Sequence, residues 1–181
     1  GNINNLSGST ISAASGSVNT TALMAEGYKT TGSNIYEANN FGNIDLRNSD
    51  KGMAIYVENA RGLNDVNAQI ITGKDGIGLY GHGNSLTEFS ELRNKGKITL
   101  SDTNSQGLYG KNIGLGENIG NIESDNIYNI GIYSVNDGST GISTNINNTG
   151  TIKLSDGSIG IYGDNVNIIN TGNITVGSNS G

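Results

Sequence analysis

Five tyrosines recur along the chain, and each directly follows an aliphatic residue. They are Tyr56, Tyr80, Tyr109, Tyr133 and Tyr162, and their spacings alternate between 24 and 29 residues. Aromatic rings gathered on a surface can bind sugar rings or a protein partner. The same rings can instead stabilise a regular structure by stacking on one another. Both roles require a repeated element that places each tyrosine above the previous one.

Three aspartates and one histidine are the other side chains that could bind a metal ion or take part in catalysis. Asp75, Asp102 and Asp156 lie in turns that look equivalent, and a column of carboxylates could bind calcium. The Gly-Gly-x-Gly-x-Asp nonapeptide of calcium-loaded β-rolls is absent, however, and Asp-Gly is ordinary turn chemistry. His82, in a predicted corner, has no second histidine and no cysteine with which to bind a transition metal. We therefore predict no metal, no cofactor and no catalytic residue.

The composition favours short β-strands and excludes several function classes. The 181 residues include 29 glycines and no proline, cysteine or tryptophan, and the formal net charge is -6. Charged residues make up only 14%, too few for a disordered chain with so little hydrophobic content. The ten lysines and arginines are scattered singly, so we expect no nucleic-acid partner. No membrane-spanning run or signal peptide is evident, and we expect a segment of a longer protein.

An internal repeat supplies the elements that would position the tyrosines. In its cleanest unit, residues 148–169, Ile152 and Leu154 alternate with polar residues, as do Ile159 and Ile161 after a turn. A third alternating stretch follows a second turn, so each period contains three short strands and three corners. We predict an all-β fold, a right-handed parallel β-helix with coils of about 22–30 residues.

Stacked coils place strands about 4.8 Å apart and align their inward residues in apolar columns. The first predicted column contains Ile44, Ile71, Ile98, Ile122, Ile152 and Ile174. The second contains Met53, Ile77, Ile130 and Ile159, beside Ile55, Leu79, Leu108, Ile132 and Ile161. Gln106 interrupts the second column, and we expect a side-chain amide ladder or a local outward turn there.

Two parts of the chain depart from the regular pattern. Residues 1–39 fit the repeat poorly, and Thr21–Gly27 suggests one helical turn. We therefore predict one continuous solenoid with an irregular part over residues 1–39 and regular coils over residues 40–181. The segments Gly114–Asn118 and Ser134–Thr144 look like insertions. Insertions in solenoids lie at corners, where binding is often found.

The stretch from Asn148 to Gly177, with its Gly-Ile-Tyr-Gly core, resembles the passenger repeats of large fusobacterial type V autotransporter adhesins. The resemblance is closest over residues 94–181. It implies a secreted β-helix on the bacterial cell surface, anchored in the outer membrane by a translocator domain outside this segment. It also implies receptors on host cells or partner bacteria, either protein or glycan.

We therefore expect a cell-surface adhesin segment and no enzymatic activity, with the tyrosine column as a speculative binding surface. One alternative is a passive stalk that presents an adhesive tip. Another is a carbohydrate-active β-helix enzyme, which would need carboxylates clustered on one face. The thin spread of Asp and Glu gives no positive sign of such a cluster.

Overall fold

The computed structural model describes residues 1–27 and 36–181, and every regular element in them is a β-strand. The strands form three long parallel sheets and one two-stranded pair, which confirms the predicted all-β solenoid. The predicted right-handedness stays a prediction. Within the described residues no helix is long and apolar enough to cross a membrane. The part of the expected irregular region that spans residues 28–35 lies outside the described residues.

Sheet A has seven strands, and each of them ends in an asparagine. They are β1 (Ile3–Asn5), β5 (Glu37–Asn40), β9 (Arg61–Asn64), β12 (Glu91–Asn94), β15 (Leu115–Asn118), β18 (Asn145–Asn148) and β21 (Asn167–Asn170). Sheet B also has seven strands. They are β2 (Thr10–Ser12), β6 (Asn43–Asp45), β10 (Gln69–Thr72), β13 (Lys97–Leu100), β16 (Asn121–Glu123), β19 (Thr151–Lys153) and β22 (Asn173–Thr175).

Sheet C has six strands, most of which carry the tyrosines. They are β4 (Thr21–Glu26), β8 (Met53–Glu58), β11 (Ile77–His82), β14 (Gln106–Lys111), β17 (Ile130–Val135) and β20 (Ile159–Asp164). A short pair, β3 (Ser17–Val18) and β7 (Ser49–Asp50), lies between sheets B and C. We number the coils by their sheet C strands, from coil 1 with β4 to coil 6 with β20.

The first coil is a regular part of the solenoid, and the predicted helical turn at its end is wrong. Residues Thr21–Glu26 form β4, which pairs in parallel with β8 and aligns Leu23 with Ile55 and Met24 with Tyr56. Leu23 and Ala25 are buried. Strand pairing and burial of alternate side chains outweigh the helix propensity of this short stretch.

The first apolar column follows the prediction except at one position. Ile70, rather than Ile71, aligns with Ile44 and Ile98 and is fully buried. Two adjacent isoleucines follow a corner that is two residues longer than those of the following coils, and the correct strand register was therefore missed. The alternation with buried Thr72, two residues further on, selects Ile70.

The second column is buried at Ile55, Leu79, Leu108 and Ile132, as predicted. Its companion column of Met53, Ile77, Ile130 and Ile159 is only half-buried, so its predicted inward direction is wrong. The residue between the two columns is glycine or alanine and points inward. A Cβ on Gly78 would lie 2.5 Å from the Gly107 carbonyl oxygen and 3.1 Å from the Ile98 side chain. Two successive inward residues therefore interrupt the alternation.

A ladder of asparagines, buried in every coil except the last, runs through the interior at the corner after sheet A. Each side-chain Nδ2 donates to the Oδ1 of the asparagine in the next coil, at 2.7–2.9 Å. The members are Asn5, Asn40, Asn64, Asn94, Asn118, Asn148 and Asn170. An amide offers both a donor and an acceptor, so identical residues satisfy one another inside the core. At Gln106, where an amide ladder or a local outward turn was predicted, the side chain is half-buried like the rest of its column, and the amide ladder is found here instead.

Candidate functional site

The outer face of sheet C combines three columns of side chains. The first is apolar except at Thr21 and Gln106, and the second is the tyrosine column, which Met24 extends. The third is mixed: Glu26, Glu58, His82, Lys111, Val135 and Asp164. His82 is thus the last residue of β11 rather than a corner residue. On this face the aromatic column lies between a mainly apolar column and a mixed, largely polar column.

The five tyrosines form one continuous ladder of touching rings. Successive ring centroids lie 5.2, 5.1, 4.9 and 5.0 Å apart. Tyr56 stacks on Tyr80 and Tyr133 on Tyr162, whereas Tyr109 is nearly perpendicular to both of its neighbours. The rings are half-buried by one another, and Tyr162 is 41% exposed. The ladder exists as the spacing indicated, and its binding role stays a prediction.

Three hydroxyl groups of the ladder, those of Tyr56, Tyr80 and Tyr133, have raised pKa values. Partial burial and a hydrogen bond to Glu58 raise the pKa of Tyr56 to about 12. Burial, together with neighbouring tyrosines, also raises the pKa of Tyr80 and of Tyr133. At neutral pH these phenols therefore offer hydrogen-bond donors and acceptors without charge.

Two long corners follow sheet C among the described residues. Residues 83–90 and 136–144 leave coils 3 and 5. The corners after coils 2, 4 and 6 contain only two or three residues. The alternation of 24 and 29 residues between tyrosines was the sequence signal for this two-coil period.

One of the two predicted insertions is therefore correct. Asn136–Thr144 is a corner loop, although Ser134 and Val135 belong to β17. Gly114–Asn118 is not an insertion, since it contains β15 and a member of the asparagine ladder. Sequence reasoning missed the other long loop, residues 83–90, because it preserves no apolar alternation.

Equivalent hydrogen bonds fix the start of each long loop to the coil before it. The Asn84 amide donates to Asn59 Oδ1 and the Asp137 amide to Asn112 Oδ1, both at 3.0 Å. Asn84 Nδ2 also donates to Glu58 Oε1 at 2.8 Å, and this bond is the main cause of a lowered Glu58 pKa. The loops are thus tied to the polar edge of the tyrosine ladder.

The loop 136–144 is further ordered by bonds within itself. Hydrogen bonds from Ser139, and then from Asn112, lower the pKa of Asp137 to about 2. Asn136 Nδ2 donates to the Ile142 carbonyl at 2.6 Å. The loop and the corner at Asn165 line an open cavity of about 370 Å³, whose polar groups are mainly amides and hydroxyls. A preformed loop of this kind suits recognition better than a mobile one.

The corner between sheets B and C holds one residue with a left-handed backbone in each coil. Most of these residues donate the backbone N–H to the residue that precedes their counterpart in the next coil, as in Asp75 to Thr103 and Tyr128 to Asp156. Asp75 and Asp156 therefore occupy neighbouring rather than equivalent positions, and the predicted acidic column is wrong. Among the described residues, no three His, Asp or Glu lie close enough to hold a metal ion.

Tyr128 is the unusual member of this corner series. Its φ is +61°, a conformation that a bulky residue rarely adopts, and the residue is 58% exposed. The counterparts with a side chain are Asn19, Lys51, Asp75, Asn104 and Asn179. Ile127 beside it is 40% exposed. A backbone conformation of this kind costs a non-glycine residue about 1–3 kcal/mol, so Tyr128 is a candidate functional residue.

The family comparison covers nearly the whole chain. The model of the BigA third pectate lyase-like domain matches residues 2–181, in agreement with the parallel solenoid observed here. Comparison with curated proteins and with solved structures gave no match. The fold and the match over residues 2–181 together show that this chain belongs to the BigA third pectate lyase-like domain family.

Proposed function

We propose that this chain is an adhesive segment of a bacterial surface protein and binds a receptor through the outer face of sheet C. The observation that carries the proposal is the arrangement of the long corners. Those after coils 3 and 5 leave the solenoid at the same corner, beside the tyrosine ladder. A stalk that only spans a distance has no need of such loops, whereas a binding face does.

The interior of the solenoid suits it to this role. The asparagine ladder and the stacked apolar columns hold every coil in one register, so the outer face is rigid before a partner arrives. A preorganised surface loses little conformational entropy on binding, and more of the contact energy remains as affinity. Several equivalent positions along the axis also permit multivalent attachment.

The proposal includes an extracellular location and an anchor outside these residues. The partner would be a protein or glycan on a host cell or a neighbouring bacterium. Family membership supports a surface-associated β-helix domain, and the acidic net charge of -6 disfavours nucleic acid as the ligand.

Adhesion of coated beads tests the proposal directly. Beads that carry the 181-residue chain should bind cultured epithelial cells or partner bacteria, and soluble chain should compete. Beads that carry heat-unfolded chain serve as the control. If folded chain binds no more cells than the unfolded chain, the segment is a stalk and the proposal is wrong.

The family name also motivates a test for polysaccharide cleavage. A lyase acting on polygalacturonate releases unsaturated products that absorb in the ultraviolet. We expect no such absorbance with purified chain, with or without added calcium. Sustained product formation would replace the adhesive function with an enzymatic one.

A further inference from the structure

Coil 5 differs from the other coils at the positions that face outward from sheet C and its preceding corner. Five of these positions carry apolar or aromatic residues, and we call them the apolar stripe: Ile127, Tyr128, Ile130, Tyr133 and Val135. They run across the width of the face and end at the long loop 136–144. Ile127 and Tyr128 are exposed, and the other three are half-buried.

The coils on either side carry polar or charged residues at several of the same positions. In coil 4 they are Thr103, Asn104, Gln106, Tyr109 and Lys111. In coil 6 they are Asp156, Gly157, Ile159, Tyr162 and Asp164. The stripe is therefore a local feature, not a consequence of the repeat. A repeat that served folding alone would not concentrate exposed apolar side chains in one coil.

Tyr128 is accommodated by a change in the following coil. One edge of its ring lies over Gly157, where a Cβ would be 2.6 Å from two ring carbons. In the preceding coil, Asn104 occupies the equivalent position and adopts the same left-handed backbone conformation. Coil 5 thus carries an exposed aromatic side chain at a position where coil 4 forms the same backbone conformation with an asparagine.

Carboxylates surround the end of the stripe that contains Ile127 and Tyr128. Asp125 lies in the same corner, and Asp102 and Asp156 lie in the corners on either side; all three are exposed. The three corners, residues 101–105, 124–129 and 155–158, contain no lysine or arginine. An apolar anchor within an acidic rim complements an apolar pocket that is bordered by basic side chains.

We propose that the apolar stripe is the main receptor contact and that the receptor is a protein with an apolar groove rimmed by lysine and arginine. This inference rests on the proposed adhesive function and specifies its partner. Tyr128 would insert most deeply, since it is the most exposed residue of the stripe, and the aspartates would steer the approach. A neutral glycan would use the ladder without needing the acidic corners.

The test compares bead adhesion of the Tyr128→Asn and Val135→Lys chains with that of the natural chain. Both replacements copy the residues of coil 4, so they suit the fold. Each should reduce bound epithelial cells about tenfold, as expected for the loss of a central anchor. Asp75→Asn is the control, because it alters the same corner position two coils away and should leave adhesion unchanged.

Two treatments identify the chemistry of the receptor. Protease treatment of the cells should abolish adhesion, and raising the salt from 50 to 500 mM should weaken it severalfold through screening of the acidic rim. If the Tyr128→Asn and Val135→Lys chains adhere as well as the natural chain does, the inference is overturned but the adhesive function is not. Adhesion that survives protease and is lost after glycosidase treatment overturns the protein partner. Absence of adhesion by natural chain overturns both proposals.

Discussion

Coils 4 and 5 have nearly the same interior and different exteriors. Leu108 and Ile132 occupy the same buried position, and Tyr109 pairs with Tyr133 on the outside. At the other stripe positions, in sheet C and the corner before it, coil 4 carries polar residues and coil 5 carries apolar or aromatic ones. The comparison shows that ladder pairing and inward columns determine the solenoid, while outward positions are free to differ between coils and carry function.

Truncation of a buried aliphatic side chain should lower the free energy of unfolding most, and by a similar amount in coils 4 and 5. Leu108→Ala and Ile132→Ala each leave a cavity in a tightly packed interior and should cost about 2–5 kcal/mol. Urea unfolding measures the loss, with Asp125→Ala as an exposed control. A much smaller loss in coil 5 would mean that its interior is specialised as well.

Loss of one ladder amide should have the next largest effect. Asn118→Ala leaves the side chains of Asn94 and Asn148 each without one buried partner, at a cost of about 1–3 kcal/mol. Asn94→Ala should cost a similar amount, since its place in the ladder is equivalent. Asn121→Ala, an exposed asparagine in the same coil as Asn118, should change unfolding little. Equal effects at Asn118 and Asn121 would contradict the structural role of the ladder.

The corner before sheet C should respond in opposite directions in the two coils. Tyr128→Asn relieves a strained backbone and should stabilise the chain by about 1 kcal/mol. The reciprocal change Asn104→Tyr should destabilise it by at least as much, because no glycine lies above residue 104 to accept the ring. The two unfolding midpoints are the measurement. A destabilising Tyr128→Asn would show that the tyrosine serves folding after all.

Alkaline pH should produce the smallest effect. The folded pKa of Tyr56, about 12, lies above its ordinary value of 10, so its contribution to stability is complete below pH 10 and decreases as the pH rises towards 12. Tyr56→Phe should reduce this decrease. Tyr133→Phe should reduce it less, because Val135 occupies the position that Glu58 holds beside Tyr56. Thermal unfolding between pH 9 and 12 tests both substitutions. Identical pH profiles for the natural and Tyr56→Phe chains would contradict the raised pKa of Tyr56.

The sequence was sufficient for the repeat, the parallel solenoid and the tyrosine ladder, because each depends on a spacing that recurs in every coil. The asparagine ladder was visible as the Asn-x-Gly motif, as at Asn94 and Asn148, but its members were not recognised as buried. A polar side chain is expected at the protein surface unless a hydrogen-bond partner in the next coil is known. Only coil stacking supplies that partner.

Other features depend on register and could not be derived from local pattern. Ile70 and Ile71 are equally apolar, and the pairing with Ile98 decides between them. Thr21–Glu26 has helix-forming residues but a strand partner in β8. The apolar stripe arises only when residues 127–135 are aligned with the same positions of the coils above and below.

The central claim is that the exterior of coil 5 carries the adhesive function. The most direct measurement is cell adhesion by a chain in which Ile127→Thr, Tyr128→Asn, Ile130→Gln and Val135→Lys give coil 5 the exterior of coil 4. Circular dichroism would first establish that the solenoid is retained. We predict that this folded chain loses at least nine-tenths of the adhesion of the natural chain. Undiminished adhesion by the folded variant would contradict the account.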